Sequence, residues 1–135
     1  MKKRMYLNLM LVLTLILTTV GCSEDEFENS LEGTWNVVGL QGGLAQGITY
    51  DKGDIIWNIS FKTNTITIVN SIETPTTQNF SHNHSGVYSF TIETDTNGYE
   101  VLVVGERRGY IKFEEEALLI DYGIAFDDIA YTLVR

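Results

Sequence analysis

Apolar and polar residues alternate with a period of two along much of the chain. In the segment 57–62, for example, Trp57, Ile59 and Phe61 alternate with polar side chains. This alternation predicts β-strands with one buried face and one solvated face. It predicts eight strands, at residues 33–40, 55–62, 65–72, 86–94, 99–105, 109–113, 117–122 and 129–134. Beyond residue 22 no segment sustains the period of an α-helix, and we expect only short turns near residues 31–32 and 123–128.

Short polar segments between the predicted strands indicate hairpin turns. Thr63–Asn64 and Asp95–Gly98 each separate two alternating segments, and Asn-Gly is typical of tight hairpins because both residues tolerate a positive φ. The charged segments Arg107–Gly109 and Glu114–Glu116 predict two further reversals. Consecutive antiparallel hairpins predict an all-β fold. A small up-and-down barrel is favoured, and a β-sandwich is the other arrangement that hides strand edges.

The same alternation predicts which side chains face the interior. The inward candidates are Trp35, Val37, Trp57, Ile59, Phe61, Ile66, Ile68, Tyr88, Phe90, Ile92, Leu118, Ile120, Tyr131 and Leu133. Small barrels of this strand number are either filled by their side chains or just wide enough for one small molecule. The pattern is therefore compatible with a packed core and with an apolar pocket.

The N-terminal segment 1–21 has the form of a secretory signal peptide. Three basic residues precede an apolar run from Met5 to Val20, and the small Gly21 follows. The run is shorter than the ~20 apolar residues that a transmembrane helix needs. Thr19–Cys22 resembles the bacterial lipobox, which implies that Cys22 becomes the diacylglyceryl-modified N-terminus of the mature protein. Cys22 is also the only cysteine, so an internal disulfide is excluded.

Residues 22–30 join this predicted lipid anchor to the rest of the chain. Four acidic residues lie within the segment 23–29, and like-charge repulsion favours a solvated, extended tether. The stretch is also similar to the surface-export signal of lipoproteins in the Bacteroidota. That resemblance implies a protein anchored in the outer membrane and exposed at the cell surface.

Charge and composition narrow the classes of partner. The 135 residues carry a formal net charge of −9. Beyond residue 21 six basic and eighteen acidic residues remain, which makes the mature net charge −12. Such a surface repels phosphate backbones, so we expect no binding to nucleic acid. A hydrophobic content of 44% suffices for a packed core, and residues 31–135 are long enough for one small domain.

The segment from Leu31 to Val38 resembles the lipocalin (calycin) signature. In that family the glycine of Gly-x-Trp permits a tight turn before the first strand, and the tryptophan plugs the closed end of the barrel. The resemblance implies these roles for Gly33 and Trp35, and it implies that Arg135 packs over the Trp35 ring. The likeness is to the small lipocalin-like domains of bacterial lipoproteins, because the chain lacks the long helix of full lipocalins before its last strand. It implies a non-enzymatic protein that binds a small apolar or amphipathic ligand.

The segment 41–50 corresponds to the loop over the open end of a lipocalin barrel. Its glycines allow movement, and its apolar side chains either form a lid over a pocket or cap a filled core. For a hollow barrel we expect ligand contacts from Leu44, Ile48, Tyr50, Trp57, Tyr88 and Phe90.

Candidate chemistry is sparse. His82 and His84 are two residues apart and could face one side of a strand, but a zinc site needs at least a third ligand. No catalytic triad spacing, calcium loop or phosphate-binding glycine loop is present, so we expect no catalytic residues and no cofactor. The predicted function is ligand binding by a membrane-anchored monomer. The alternatives are a protein-interaction or inhibitor module with a filled barrel, and a metal-dependent enzyme that uses the two histidines.

Overall fold

The computed structural model describes residues 23–42, 45–72, 84–123, 125 and 128–135. The chain divides into two compact units, residues 1–31 and residues 32–135. The described part of the first unit is one helix, α1 (Ser23–Leu31). The second unit contains β1 (Gly33–Gly42), β2 (Ala45–Thr49), β3 (Ile55–Ser60), β4 (Thr65–Asn70), β5 (Gly86–Thr94), β6 (Glu100–Val104), β7 (Arg107–Glu114), β8 (Ala117–Asp121) and β9 (Ile129–Val134).

Helix α1 occupies the segment for which the sequence predicts an extended conformation, and that expectation is wrong. Its acidic residues are concentrated in the first turns, where the positive end of the helix dipole stabilises negative charge. Asp25, Glu26 and Glu28 are exposed, so the helix still keeps its charges in water. The Ser30 hydroxyl donates a hydrogen bond of 2.7 Å to the Phe27 carbonyl. Whether this segment also serves as a tether stays a prediction.

Eight antiparallel strands form a closed up-and-down barrel, which confirms the predicted fold class. From β3 to β9 each strand pairs with the next strand in the chain. Strand β1 closes the barrel: it pairs with β3 through residues Gly33 to Asn36, and its other edge pairs with β9 through residues Asn36 to Gly42. Closure leaves no edge strand among the eight, and edge strands are the usual route to unwanted pairing.

Strand β2 is a ninth strand that the sequence pattern does not predict. It lies within the segment 41–50, for which we expected a loop, and that expectation is wrong. Beyond Asn36 strand β3 no longer pairs with β1, and β2 takes over the same edge with Leu40 opposite Ile48. The backbone groups of β1 that do not pair with β3 are thereby hydrogen-bonded to β2 and do not form an exposed edge.

The turns are predicted well with one exception. Thr63–Asn64, Asp95–Gly98 and Glu115 all lie in reversals between strands. The predicted reversal at Arg107–Gly109 is wrong, because these residues belong to β7 and the chain turns at Gly105–Glu106 instead. Two arginines followed by glycine look like a charged turn, but the glycine is required for a packing reason described below.

The predicted interior is largely confirmed. Eleven of the fourteen inward candidates are buried, and the other three, Phe61, Tyr88 and Ile92, are half-buried. The pattern missed further core residues on β6, where Val101 is 2% exposed and Leu102 is 0% exposed. Both faces of this strand are apolar, so periodicity alone does not show which side chain points inward.

Candidate functional site

Trp35 and Arg135 pack together at one end of the barrel, beside the β1–β9 pairing. Trp35 is 4% exposed, and the guanidinium carbon of Arg135 lies 4.6 Å from the centroid of its ring. The Phe113 ring lies beside the same tryptophan, with ring centroids 6.4 Å apart. Gly33 has a φ of +116°, which L-residues rarely adopt, at the start of β1. These are the positions that the lipocalin resemblance implies for the three residues.

Glu32 accepts two hydrogen bonds at this end of the barrel. Its carbonyl accepts a hydrogen bond of 3.2 Å from the Arg135 guanidinium. Its carboxylate accepts one of 2.6 Å from the backbone N–H of Phe61, just beyond β3. These two hydrogen bonds link the residue before β1 to Arg135 and to Phe61.

The interior next to this end is filled by aromatic and aliphatic side chains. The rings of Trp57 and Tyr131 lie 5.3 Å apart, and the Tyr122 ring packs edge-on against Tyr131 at 6.0 Å. Trp57 and Tyr131 are 0% exposed, as are Leu118, Ile120 and Leu133. A side chain beside a void large enough for water has accessible surface that faces the void. These five side chains have no accessible surface, so no such void borders them.

Two more of the predicted ligand contacts lie in or near this packed interior. Phe90 is 3% exposed, and its ring meets the Phe61 ring edge-on at 5.2 Å. Tyr88 is half-buried, and its hydroxyl donates a hydrogen bond of 3.0 Å to the carbonyl of His84. The structure therefore places Trp57, Phe90 and Tyr88 in contact with other protein groups.

Tyr122 also interacts with the β9 side of the barrel through Arg107. The Arg107 guanidinium carbon lies 4.8 Å from the Tyr122 ring centroid, and its Nη2 atom lies 2.7 Å from the Asp128 carboxylate. Burial raises the pKa of the Tyr122 hydroxyl well above its ordinary value, and the positive charge of Arg107 opposes that rise. This cluster ties β7 to the start of β9 and is structural.

The remaining predicted ligand contacts lie near β2. Ile48 lies on β2 opposite Leu40, and Tyr50 follows the strand; both are half-buried. The backbone N–H of Tyr50 donates a hydrogen bond of 3.1 Å to the Val38 carbonyl. Leu44 lies outside the described residues, so the lid proposed for the segment 41–50 stays a prediction.

A concave surface lies on the outside of the barrel, formed by the β5–β6 turn, β7 and β8. It encloses about 430 Å³. We call it the outer groove and define it by six of the side chains that line it, Asp95, Tyr99, Tyr110, Lys112, Leu119 and Asp121. The strand register shows the outward direction, because Tyr110 pairs with Asp121 while the neighbouring buried Ile120 pairs with Ile111.

The apolar part of the outer groove is an aromatic corner. The rings of Tyr99 and Tyr110 have centroids 6.4 Å apart and are inclined by 86°, so they stand nearly at right angles. Tyr99 is 62% exposed and Tyr110 is 48% exposed. Adjacent exposed aromatic rings that line a concavity are typical of binding surfaces, whereas isolated exposed apolar residues are ordinary.

The polar part of the groove consists of two carboxylates and one amine. The Asp95 carboxylate accepts hydrogen bonds from the backbone N–H groups of Tyr99 (2.9 Å) and Asn97 (2.8 Å). These bonds, that of Tyr99 first, hold the pKa of Asp95 below its ordinary value although burial opposes the effect. The Asp121 carboxylate accepts a hydrogen bond of 2.7 Å from the Gly123 N–H. The Lys112 ammonium forms an ion pair with Glu114.

Sequence reasoning missed the outer groove, although one signal was available. Tyr110 occupies a position on the polar face of β7, where the alternation predicts a solvated residue, and Tyr99 immediately follows a polar turn. Large aromatic residues at outward positions of a strand indicate a surface that contacts something else. The Tyr99 and Tyr110 rings come together because Val101 pairs with Tyr110. The sequence alone does not specify this pairing.

Neither a candidate metal site nor a candidate membrane-spanning helix is found among the described residues. Among the residues that the structure describes, no group of three or more His, Cys, Asp or Glu side chains could hold a metal ion. His84 is exposed, while His82 and the predicted lipidation site Cys22 lie outside the described residues. No described helix combines the length and hydropathy that crossing a membrane requires.

Comparison of the chain with protein-family models, with curated proteins and with solved structures found no match.

Proposed function

We propose that this chain is an exported lipoprotein, anchored in the bacterial outer membrane through Cys22, whose barrel binds a small amphipathic ligand without catalysing a reaction on it. The N-terminal charge pattern, the apolar run and the lipobox-like residues before Cys22 support the anchor. Two acyl chains on one residue suffice for stable membrane attachment. The resemblance of Gly33 and Trp35 to the lipocalin signature supports a binding role.

The observation that carries the binding proposal is the contrast between the filled interior and the outer groove. In the part of the interior that the structure describes, Trp57 and Tyr131 are 0% exposed and their rings pack against each other. The outer groove has the size of small-molecule sites, which span about 300–1,000 Å³. It combines the aromatic corner of Tyr99 and Tyr110 with carboxylates at its rim, and that mixture suits a ligand with an apolar part and a polar part.

Anchoring is tested by the substitution Cys22→Ser in the natural host. We expect the protein to move from the membrane fraction to the soluble fraction, because the variant lacks the thiol that would be acylated. A second variant, Ser23→Ala, leaves the thiol in place and should stay in the membrane fraction. If Cys22→Ser also stays there, the lipoprotein proposal is wrong.

Ligand binding is tested by native mass spectrometry of the Cys22→Ser protein purified from the soluble fraction of the host. We expect a co-purifying small molecule that is lost when Tyr110→Ser is added. The control is Val87→Ser, which removes a 68% exposed apolar side chain from another strand and should retain the molecule. A ligand that survives Tyr110→Ser but is lost with changes at Ile48 and Tyr50 would place the site at the mouth of the barrel.

A protein-interaction module is the second candidate, and the filled interior favours it equally. In that case the outer groove would receive a side chain of a partner protein. Cross-linking of the intact lipoprotein in cells, with a photoreactive residue at position 99, separates the two. A discrete cross-linked protein band that disappears with Tyr110→Ser would favour the interaction module over a small ligand.

A further inference from the structure

We propose that the outer groove selects an organic cation, an alkylammonium group whose charge lies between the Tyr99 and Tyr110 rings and whose apolar chain lies along the barrel wall. This inference rests on the proposed function, which makes the groove the binding site. It goes further because it assigns a charge to the ligand.

The aromatic corner presents ring surface to a group placed within it. The faces of aromatic rings carry negative electrostatic potential, so two rings at nearly right angles attract a cation held between them. Quaternary ammonium groups are bound by aromatic cages for this reason. A neutral apolar group would also fit the corner, but only a cation gains this electrostatic attraction.

The two carboxylates are placed on either side of the corner by the backbone. Asp95 accepts its hydrogen bond from the N–H of Tyr99 itself, so the carboxylate and this ring are positioned together. Asp121 lies directly opposite Tyr110 in the β7–β8 pairing. Cross-strand partners on one face are close neighbours, so Asp121 lies beside Tyr110, and Asp95 interacts with Tyr110 as well as with Tyr99.

The basic groups nearest the groove are already engaged. The Lys112 ammonium, which lines the groove, forms an ion pair with Glu114 at the far end of β7. Arg108, two residues before Tyr110 on the same outward face, pairs with Glu93 at 2.7 Å. The side chains that line the groove carry two negative charges, on Asp95 and Asp121, and one positive charge, on Lys112, so their net charge is negative and disfavours an anionic headgroup.

The net charge of residues 22–135 acts in the same direction. Beyond residue 21 the chain has eighteen acidic and six basic residues, and its net charge is −12. Such a field raises the local concentration of cations and speeds their association, an effect that weakens as salt increases. Local geometry and overall charge therefore both favour a positively charged ligand.

The test measures binding of three probes with the same apolar chain to the Cys22→Ser protein by isothermal titration calorimetry. The probes are hexyltrimethylammonium, hexyl glucoside and hexyl sulfate, which are cationic, neutral and anionic. We expect the cation to bind about tenfold more tightly than the neutral probe, with the anion weakest. The preference should shrink as sodium chloride is raised.

Two variants locate the selectivity, and one variant controls for charge. Asp121→Asn should weaken binding of the cation several-fold and leave the neutral probe unchanged. Tyr110→Leu keeps an apolar wall but removes the ring, so it should also reduce the preference for the cation. Glu106→Gln makes the same charge change in the β6–β7 turn, outside the residues that line the groove, and should leave the ratio of the two affinities unchanged.

The outcomes separate this inference from the proposed function. Equal affinity for the cationic and neutral probes, lost in Tyr110→Ser, would overturn the cation selectivity and keep the groove as an amphipathic site. Tight binding of hexyl sulfate would overturn the selectivity as well. If no probe binds and the Tyr99 and Tyr110 ring resonances do not shift in nuclear magnetic resonance spectra, the groove is not the binding site and both proposals fail.

Discussion

The guanidinium of Arg135 lies over the Trp35 ring, with its central carbon 4.6 Å from the ring centroid. This contact crosses the seam at which β1 and β9 close the barrel, so it reinforces a pairing that joins the two ends of the folded domain. The same guanidinium donates to the carbonyl of Glu32, just before β1. The contact is therefore expected to stabilise barrel closure.

Removal of this cation–π contact should lower stability modestly. Arg135 is exposed, so we expect Arg135→Ala to lower the free energy of unfolding by about 1 kcal/mol. Urea denaturation measures the change. The control is Arg108→Ala, whose ion pair with Glu93 is half-exposed and should contribute less than about 0.5 kcal/mol. Equal losses in the two variants would contradict a specific role for the Trp35 contact.

Gly109 should not tolerate a side chain. A Cβ atom at this position would lie 2.6 Å from Cγ2 of Ile120, which is 0% exposed, and 3.0 Å from the Tyr122 ring. Because this core cannot move aside freely, Gly109→Ala should cost about 1–3 kcal/mol in thermal or urea denaturation. Gly47→Ala is the matched control, since its Cβ would meet its nearest atom, the Leu40 carbonyl oxygen, at 3.6 Å. A harmless Gly109→Ala would show that β7 and β8 are less closely packed than described.

Leu102 is a core residue that the alternation did not identify. Its side chain is 0% exposed on β6. We expect Leu102→Ala to lower the free energy of unfolding by about 2–5 kcal/mol, because the lost methyl groups leave a cavity in a filled interior. Val87→Ala, at a side chain that is 68% exposed, should change stability by less than about 0.5 kcal/mol. A loss at Leu102 no larger than at Val87 would indicate a hollow barrel that collapses around the change.

The ionised Asp95 carboxylate should stabilise the turn between β5 and β6. Backbone hydrogen bonds hold its pKa below the ordinary aspartate value in the folded protein, so the folded state binds the acidic proton less readily than the unfolded chain. The stabilisation is therefore present above the ordinary aspartate pKa and is lost as the pH falls through the lower, folded pKa. Asp95→Asn should be less stable than the parent at neutral pH, and the difference should vanish in acid. A difference that is the same at both pH values would refute the assignment.

The period-two alternation predicted eight of the nine strands, most of the turns and most of the core. The prediction succeeds because a barrel strand has one face in the apolar interior and one in water. Apolar and polar residues must therefore alternate along the strand. It failed at Arg107–Gly109, where glycine serves close packing against Ile120 and has no part in a turn. It also failed on β6, where apolar residues cover both faces.

Tertiary structure alone decided which side chains pack in the interior and which line the outer groove. Residues such as Trp57 and Phe90 are equally compatible by sequence with lining a pocket or filling it, and only their packing against Tyr131 and Phe61 distinguishes the two. Tyr99 and Tyr110 lie on different strands, and only the β6–β7 register brings their rings together. The sequence by itself determined the fold class, because alternation is a local property. The filled interior and the outer groove depend on contacts between distant strands, which a local pattern does not contain.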